Sequence, residues 1–412
     1  MPPDIASLDE FELAGKRVLV RLDINSPLDP VSGEIVNDNR IDRSLPTIRD
    51  LADAGARVVI LAHQGDALDY QNFASLSQHA GKLADKLSRP VSFIDDCAGP
   101  AARARIAALE NGEILLLENI RIYSEEMTTF ESTVKLTPAE MTSTYLVRHL
   151  APLFDLYVND AFAAAHRRAP SLLAFQEVLP SAGGRLLIEE LEMLERVSGT
   201  PARPCVFVLG GLKISDAFAM LERALTDQTA DLVLTSGVTG EIMLMAAGHE
   251  LGPVVDGFIS DRGLDAFLPT ARRLLELFPD AILMPDDVAV ERNGDRCEVP
   301  VAGLPVDQLI IDIGSQTISR YEEIIGQAAT VFVNGPPGVY ESSAGAEGTA
   351  RLWSAVAATP GLTVIGGGDT VGSAARFIDL SLIDYVSTAG GALIRYLSGQ
   401  PLPLLDAMER RT

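Results

Sequence analysis

Residues 363–376, with the sequence TVIGGGDTVGSAAR, combine residue types that can hold a phosphate and a cation. An apolar run is followed by three glycines, then by Asp369, Thr370 and small residues at helical spacing. We interpret the segment as a strand, a glycine turn and a helix N-terminus, whose free N–H groups and dipole favour an anion. Asp369 would repel a bare phosphate, so it fits best if Mg²⁺ lies between the two. The alternative is an ordinary strand-to-helix turn in which Asp369 caps the helix.

The composition and charge of the chain restrict the classes of partner. The 412 residues favour two or three domains, and 47% apolar residues can fill large cores. A net charge of −24 argues against nucleic acid and anionic membranes as partners, whereas local arginines still permit a phosphorylated substrate. Three scattered cysteines indicate neither a disulfide framework nor a zinc site, and they suit a reducing cytoplasm. The N-terminus lacks a signal-peptide pattern, and no apolar run reaches transmembrane length.

Short apolar strands alternate with helical patterns in both halves of the chain. Such alternation predicts an α/β fold with parallel sheets that helices cover on both faces. The predicted strands are residues 18–22, 57–61, 91–94, 114–117, 156–158, 205–209, 232–235, 281–284, 309–313, 331–333, 362–365 and 385–387. The helical patterns between them include residues 44–54, 75–87 and 142–150. A helical pattern at 185–197, set between two glycines and an SGTP sequence, is predicted to join two doubly wound domains. A surface helix within one domain is the alternative.

Polar side chains follow the predicted strands of the N-terminal half, where ligands of doubly wound sheets bind. They are Asp23, Asn25, His63, Glu118, Asn119, Arg121, Asn159, Asp160, His166 and Arg167, with Arg21 and Arg40 nearby in sequence. Because the carboxyl ends of parallel strands meet at one edge, arginines and histidines gathered there would recognise a phosphate or a carboxylate. For any single arginine, a solvated face or a surface salt bridge is the alternative.

Glycine turns follow five predicted strands of the C-terminal half. They contain Gly210 and Gly211, Gly314, Gly335 and Gly338, Gly366 to Gly368, and Gly390 and Gly391. The chain has five lysines against 28 arginines, and only Lys213 lies inside an apolar, glycine-rich run. Backbone donors around a single lysine are what a polyphosphate requires. A helix cap is the alternative for any one of these turns.

Ten motifs, taken together and in this order, resemble the phosphoglycerate kinase family. They are VRLDINSPL (20–28), NRID (39–42), LAHQ (61–64), LLLENIR (115–121), VNDAFAAAHRR (158–168), LGGLKISD (209–216), DIGSQT (312–317), NGPPGVYE (334–341), GGGDT (366–370) and STAGG (387–391). They cover almost the whole chain from residue 18 to residue 403. The HQ pair after the second strand, the VNDAFAAAHR run and the GGLK turn are similar to the archaeal branch of the family.

The resemblance implies a hinge-bending kinase with two doubly wound, Rossmann-like domains. The implied organisation is a 3-phosphoglycerate-binding domain at 1–184, an interdomain helix at 185–199, a nucleotide-binding domain at 200–386 and a last segment at 387–412 that returns to the N-terminal domain. The implied reaction moves a phosphoryl group between 1,3-bisphosphoglycerate and ADP, giving 3-phosphoglycerate and ATP. Mg²⁺ is the implied cofactor, and the implied partners are the small-molecule substrates. The implied oligomeric state is a monomer or a homodimer. Half-sites on separate domains require closure, which also excludes water.

The resemblance also assigns site residues. The implied substrate-binding residues are Asp23, Asn25, Arg40, His63, Arg121 and Arg167. The implied nucleotide-binding residues are Gly210, Gly211, Lys213, Asn334, Gly335, Pro336, Gly338, Glu341, Gly366, Gly367, Gly368, Asp369 and Thr370. Asp369 is the implied metal ligand, and the implied catalytic positions are Arg40, Lys213, Gly367 and Gly390. Phosphoryl transfer needs charge compensation more than covalent help, which agrees with this set.

The sequence departs from the family pattern at a few positions. Asp66 occupies a place where the family usually has an arginine, three residues after the substrate histidine. Ala217 replaces a lysine or serine, Ala389 alters the STGGG turn, and Ala169 and Pro170 follow Arg167 and Arg168. The changes leave the nucleotide half intact and concern the acceptor. The alternative function is therefore a paralogous kinase that forms an acyl phosphate on a different hydroxy acid. A third alternative is a nucleotide-binding regulatory or structural protein with a weak or inactive site.

Overall fold

The structure, a computed structural model, describes residues 4–65 and 73–409. These residues pack as two compact units: the first unit comprises residues 4–192 and 401–409, and the second unit comprises residues 193–400. The division falls inside one helix, Arg185–Ser198. Within the described ranges, no helix combines the length and the apolar character needed to cross a membrane.

The first unit is built on a six-stranded parallel sheet. Its strands are β1 (Arg17–Leu22), β2 (Arg57–Leu61), β3 (Val91–Ile94), β4 (Ile114–Leu117), β5 (Leu156–Asp160) and β6 (Ser181–Gly183), in the order β3-β4-β2-β1-β5-β6. Its helices are α1 (Asn39–Asp53), α2 (Ser77–Leu87), α3 (Pro100–Ala107), α4 (Thr128–Val134), α5 (Pro138–Met141), α6 (Tyr145–Leu150), α7 (Pro170–Leu173) and the start of α8 (Arg185–Ser198). The strands β2 to β4 lie on one side of β1, and β5 and β6 lie on the other, so the topological switch point is between β1 and β5.

Apolar runs explain why the strands of this sheet are buried on both faces. In β1, Val18 pairs with Val58 of β2 and with Leu156 of β5, and all but the first residue of the strand are buried. Burial on both faces is typical of parallel sheets. Helix α1 begins at Asn39, about one turn earlier than the predicted start at residue 44, and it accommodates Pro46 in its interior. That additional turn carries Arg40.

The second unit contains a second six-stranded parallel sheet and a small antiparallel sheet. The strands are β7 (Cys205–Leu209), β8 (Leu232–Thr235), β9 (Ile282–Leu283), β10 (Asp287–Arg292), β11 (Asp295–Pro300), β12 (Ile310–Ile313), β13 (Thr330–Asn334), β14 (Leu362–Ile365) and β15 (Tyr385–Val386). The parallel sheet has the order β15-β14-β13-β7-β8-β9, and the antiparallel sheet has the order β11-β10-β12. The parallel order is that of a Rossmann fold, with its switch point between β7 and β13. The predicted α/β architecture of two parallel-sheet domains is confirmed.

Helices follow most of the parallel strands of the second unit. They are α9 (Ile214–Thr226), α10 (Gly237–Ala246), α11 (Pro253–Asp261), α12 (Leu268–Leu277), α13 (Ser315–Gln327), α14 (Glu347–Ala358), α15 (Gly368–Phe377) and α16 (Gly391–Leu397). A core cluster that includes Tyr321, Trp353 and Ile365 lies between these helices and the sheet. The last helix, α17 (Pro403–Met408), belongs to the first unit, where the Leu404 amide donates to the Ala165 carbonyl at 3.2 Å.

One predicted strand lies in a different sheet from the one expected. The run at 309–313 was expected to end at the edge of the C-terminal parallel sheet, but β12 pairs with β10 antiparallel. The sequence analysis missed β10 and β11, which form a hairpin through Asn293 and Gly294. Both turn residues have positive φ, 55° and 89°, as the tight two-residue hairpin turn requires.

Candidate functional site

A cavity of about 730 Å³ lies in the second unit, at the switch point between β7 and β13. Its wall contains all but one of the residues expected to hold a nucleotide. Those present are Gly210, Gly211, Lys213, Asn334, Gly335, Pro336, Gly338, Glu341, Gly367, Gly368, Asp369 and Thr370, together with Gly390. Gly366 is not in the wall: it packs against Leu393, where a Cβ would lie 2.0 Å from Cδ2, and its carbonyl accepts from the Asn334 side chain. Their individual roles stay predictions.

Two glycine turns approach each other so closely that side chains are excluded. A Cβ on Gly335 would lie 2.2 Å from the Gly210 carbonyl oxygen, and Gly335 has a φ of 87°. The backbones are joined by hydrogen bonds from the Gly210 amide to the Asn334 carbonyl at 3.0 Å and from the Gly211 amide to the Pro336 carbonyl at 2.9 Å. The close packing leaves the cavity floor lined by backbone.

Buried polar side chains hold the glycine turn before α15. The Asn334 amide group donates to the Gly366 carbonyl at 2.8 Å, and the Gly335 amide donates to the Thr370 hydroxyl at 2.8 Å. Helix α15 begins at Gly368, and its N-cap is Gly367, with a φ of 100°. The alternative in which Asp369 is the N-cap is therefore wrong. The first-turn residues of the helix line the cavity, where a helix N-terminus favours an anion.

Lys213 and Asp369 meet on the cavity wall. Lys213 Nζ lies 3.3 Å from Asp369 Oδ2, and the two side chains are 64% and 71% exposed. A pair so exposed contributes little to stability, so both groups are available to a ligand. Within the described part of the chain, no group of three or more acidic, histidine or cysteine side chains is placed to hold a metal. A single carboxylate fits Mg²⁺ that takes its other ligands from phosphate oxygens and water.

One of the five glycine turns that were expected to surround Lys213 lies elsewhere, so that prediction is partly wrong. Gly314 and Thr317 follow β12, which belongs to the antiparallel sheet, and neither lines the cavity. Instead, the Thr317 amide donates to Asp287 Oδ1 at 2.8 Å, and a Cβ on Gly314 would meet the same carboxyl group. Gly237, which follows β8 and has a φ of 51°, lines the cavity instead. The sequence analysis predicted β8 but did not consider the turn that follows it.

In the first unit, Asp23 connects two of the predicted substrate residues. Its Oδ1 accepts from Arg40 Nη1 at 2.8 Å and from the backbone N–H of Asn25 at 3.2 Å. The Asn25 side chain in turn exchanges two hydrogen bonds with the backbone of Gly65, at 2.9 and 3.3 Å. Asp23 is almost fully buried, and the Arg40 side chain is one-third exposed. The arrangement fixes the guanidinium of Arg40 at the carboxyl end of β1.

His63 lies at the centre of a cluster of arginines. Its pKa is held well below the usual 6.5, chiefly by burial and then by the charges of Arg21, Arg121, Arg167 and Arg40. Arg21 Nη2 lies 3.0 Å from His63 Nδ1, and because arginine only donates, Nδ1 accepts and Nε2 carries the proton. His63 is therefore neutral at pH 7 with one N–H to offer. Four arginines around a neutral donor favour an anion.

Arg167 already has acidic neighbours. Its Nη2 donates to the Glu126 carbonyl at 3.0 Å and forms an ion pair with Glu131 of α4. Both side chains of the ion pair are 12% exposed. The nearby Glu126 carboxyl accepts from the Ser171 amide and hydroxyl, both at 2.7 Å, and burial raises its pKa to about 7. A phosphate in this cluster would therefore compete with Glu131 for Arg167.

Several strand-end polar residues serve the fold instead of a ligand. The Glu118 carboxylate accepts from the Leu76 amide at 2.9 Å, and Asn119 bridges neighbouring loops. Asp160 accepts from the Leu187 amide at 2.9 Å in the first turn of α8, and burial raises the pKa of Asp160 to about 6. Asp66 lies outside the described residues. The sequence analysis noted Arg21 only as a neighbour, and its place on β1 was the available signal.

Comparisons with known proteins agree along the whole chain. Residues 8–400 match the family model described as phosphoglycerate kinase. The phosphoglycerate kinase of Methanothermobacter thermautotrophicus is 43% identical over 403 residues, which are 98% of this chain and 96% of that protein. The phosphoglycerate kinase structures from Pyrococcus horikoshii and Coxiella burnetii superpose with TM-scores of 0.86 and 0.82 at 35% and 32% identity, covering 98% of each chain. The chain therefore belongs to the phosphoglycerate kinase family, with full-length similarity to its archaeal members.

Proposed function

We propose that the chain transfers a phosphoryl group reversibly between 1,3-bisphosphoglycerate and ADP, giving 3-phosphoglycerate and ATP. The observation that carries this proposal is the cavity at the β7–β13 switch point, where glycine backbone, one lysine and one carboxylate meet. That combination suits a magnesium-bound polyphosphate. The arginine cluster of the first unit supports a phosphorylated acceptor.

The cavity divides chemically into two halves. Its apolar half is lined by Val238, Leu244, Phe258, Pro285 and Val288 and suits a purine base. Its polar half contains the glycine turns, Lys213 and the N-terminus of α15, which suit the phosphates. Glu341 lies in the wall and is proposed to meet the ribose hydroxyls. Asp369 would hold Mg²⁺, which neutralises charge on the phosphate oxygens when bound.

The first unit supplies groups for the acceptor. His63, Arg121 and Arg167 are proposed to hold the phosphate of 3-phosphoglycerate, and Asp23 and Asn25 its hydroxyl and carboxylate region. In the direction of ATP use, a carboxylate oxygen forms a bond to the γ-phosphorus while the bond to ADP breaks. A carboxylate is already a competent nucleophile, so no general base is required. Arg40 on the acceptor side and Lys213 on the nucleotide side would compensate the charge of the transferring group.

A coupled kinase assay tests the proposed function. The full chain is assayed with Mg-ATP and 3-phosphoglycerate, and in parallel with a panel of hydroxy acids that lack the phosphate. Robust turnover of 3-phosphoglycerate supports the proposal. Negligible turnover of 3-phosphoglycerate alongside turnover of another acid would favour a paralogous acyl-phosphate-forming kinase. The observation that favours this second candidate is the ion pair between Arg167 and Glu131, because a phosphate would compete with Glu131 for Arg167.

Asp66→Arg is expected to improve the use of 3-phosphoglycerate. The family usually places an arginine at this position, so the change adds a charge-assisted contact to the phosphate worth about 1–2 kcal/mol at most. The KM for 3-phosphoglycerate should fall several-fold while the Kd for Mg-ADP stays constant. Asp261→Arg, on the exposed end of α11, is the control for added charge. An unchanged KM would remove position 66 from the phosphate site.

Asp369→Ala is expected to weaken Mg-nucleotide binding without affecting 3-phosphoglycerate. The variant removes the carboxylate proposed to hold Mg²⁺, and it spares the N-cap and the buried Thr370 contact. Calorimetry on the full chain should show a Kd for Mg-ADP raised about ten- to a hundredfold, as lost metal ligation implies. Asp261→Ala is the control and should change the Kd of neither Mg-ADP nor 3-phosphoglycerate. Equal losses for both ligands would instead indicate a structural role for Asp369.

A further inference from the structure

One carboxyl group in the apolar half of the cavity has no role in the proposed chemistry. Helix α10 presents Gly237, Val238, Glu241 and Leu244 to the cavity, at the spacing of a single helical face. Glu241 is the only ionisable member of this stripe, and the cavity wall also contains the apolar side chains of Phe258, Pro285, Val288 and Ile310. A carboxyl group in such surroundings has a cost unless something in the cavity satisfies it.

The Glu241 carboxyl is buried and lacks a protein partner. Its residue is 6% exposed, and among residues 4–65 and 73–409 no hydrogen bond or ion pair reaches its oxygens. Burial alone raises its pKa to about 8, which favours the neutral acid at pH 7. The ionisable side chains on neighbouring walls and on α12 are Lys213, Asp216, Asp312, Tyr340, Glu341, Asp369, Arg272, Arg273 and Glu276. None of these contributes to the shift, because burial is its only cause.

The protonation state of a carboxyl group decides which purine edge it complements. A neutral carboxyl group offers one O–H donor beside one carbonyl acceptor. Adenine presents a ring nitrogen acceptor beside its N6 amino donor, which matches the neutral acid. An ionised carboxylate has two acceptors and no donor, and it matches the two adjacent donors of guanine, N1–H and the N2 amino group. The same residue can therefore favour either base, according to its charge.

We propose that Glu241 is a specificity-determining residue for the nucleobase, and that its carboxyl group pairs with an edge of adenine in the apolar half of the cavity. The O–H donates to a ring nitrogen of adenine, and the carbonyl oxygen accepts from the N6 amino group. This inference rests on the proposed function, because it requires a nucleotide in the cavity. It adds a polar selection of the base to the apolar contacts of Val238 and Phe258.

Two variants and a base-free ligand test the inference. Glu241→Gln replaces the acid with an amide that has the same donor and acceptor pair and does not titrate. Glu241→Leu removes both groups. By calorimetry at pH 7, wild type and Glu241→Gln should bind Mg-ADP alike and prefer it to Mg-GDP by about tenfold or more, whereas Glu241→Leu should lose about tenfold in Mg-ADP affinity and most of the preference. Mg-pyrophosphate, which has no base, should bind all three proteins equally.

The pH dependence gives a second readout. Adenine binding requires the protonated acid, so Mg-ADP affinity is fully present below pH 8 and is lost as pH rises through that value, by about tenfold per pH unit once the acid is ionised. Glu241→Gln should abolish this dependence, while Mg-pyrophosphate reports any pH dependence that does not involve the base. A purely structural role for Glu241 would move neither the base preference nor the slope.

The outcomes separate the inference from the proposed function. If Mg-ADP binds but the wild type and Glu241→Gln share the same slope, or if Glu241→Leu keeps the preference for adenine, the inference is overturned and the proposed function stands. If Mg-ADP does not bind the wild type at any pH and no phosphoryl transfer is measured, the proposed function fails and the inference fails with it. Thermal unfolding of each variant confirms that the fold is retained.

Discussion

Lys213→Ala is expected to lower kcat about 10²- to 10³-fold, the typical loss for one donor that acts on charge developing in the transition state. The KM for 3-phosphoglycerate should change much less, because its proposed ligands belong to the first unit. Lys213 precedes α9 and stands in the cavity wall among the glycine turns, where its ammonium can follow the transferring phosphoryl group. An interaction that strengthens only in the transition state lowers kcat when it is lost.

The substitution at Lys213 should leave the fold intact. Lys213 is the N-cap residue of α9 without a side-chain capping bond, so alanine removes no hydrogen bond from the helix. Its only ion pair in the described structure, with Asp369, is exposed and contributes little to stability. Lys16→Ala, at an exposed position before β1, is the matched control and should retain the wild-type kcat. A Lys213→Ala enzyme with near-normal kcat would remove the lysine from the proposed mechanism.

The nucleotide half of the site could be predicted because its chemistry lies in contiguous motifs. In GGLK and GGGDT, the strand, the turn and the helix N-terminus follow each other directly, so sequence order implies spatial order. Gly335 could be placed near the phosphates from its motif, but not its 2.2 Å approach to the Gly210 carbonyl, which joins residues far apart in the chain. The sequence analysis also missed Gly237 and Glu241, since neither belongs to a motif of the resemblance.

The acceptor half was harder to predict because its contacts are long-range. Arg167 was expected to be available to a phosphate, but it is paired with Glu131, 36 residues earlier. Arg21 was considered only a neighbour, although its guanidinium contacts His63 and Ser171. On the pattern alone, a polar residue after a strand can equally hold a loop, as Glu118 does, or face a ligand. Only the fold separates these two uses.

Two fold errors have identifiable physical causes. The apolar run of β12 has the composition of a parallel strand, and only its pairing with the β10–β11 hairpin places it in the antiparallel sheet. The Asn293-Gly294 pair was the local signal for that hairpin. The start of α1 was predicted a turn late, at residue 44, whereas the helix continues through Pro46 from Asn39. The missed turn matters most, because it positions Arg40.

Arg40→Ala is expected to lower kcat about 10²- to 10³-fold, since Arg40 is proposed to compensate charge on the transferring phosphoryl group from the acceptor side. The Kd for Mg-ADP should stay unchanged, because the proposed nucleotide ligands all lie in the second unit. Arg43→Ala is the matched control. It lies one turn later on α1, pairs with Glu189, and should retain nearly the wild-type kcat.

A loss of activity in Arg40→Ala could also come from the partner it leaves behind. Asp23 is buried and accepts from Arg40 at 2.8 Å, so its carboxylate loses a charged donor, at a cost of about 1–3 kcal/mol in unfolding free energy. The double variant Arg40→Ala/Asp23→Asn relieves that cost and separates the two effects. Urea unfolding should show the double variant regaining stability, while its kcat stays as low as that of Arg40→Ala and well below that of the single variant Asp23→Asn, which reports the loss of Asp23 as a substrate ligand. If kcat recovers with stability, Arg40 acts by holding Asp23 in place, and the charge it was proposed to supply to the phosphoryl group is not needed.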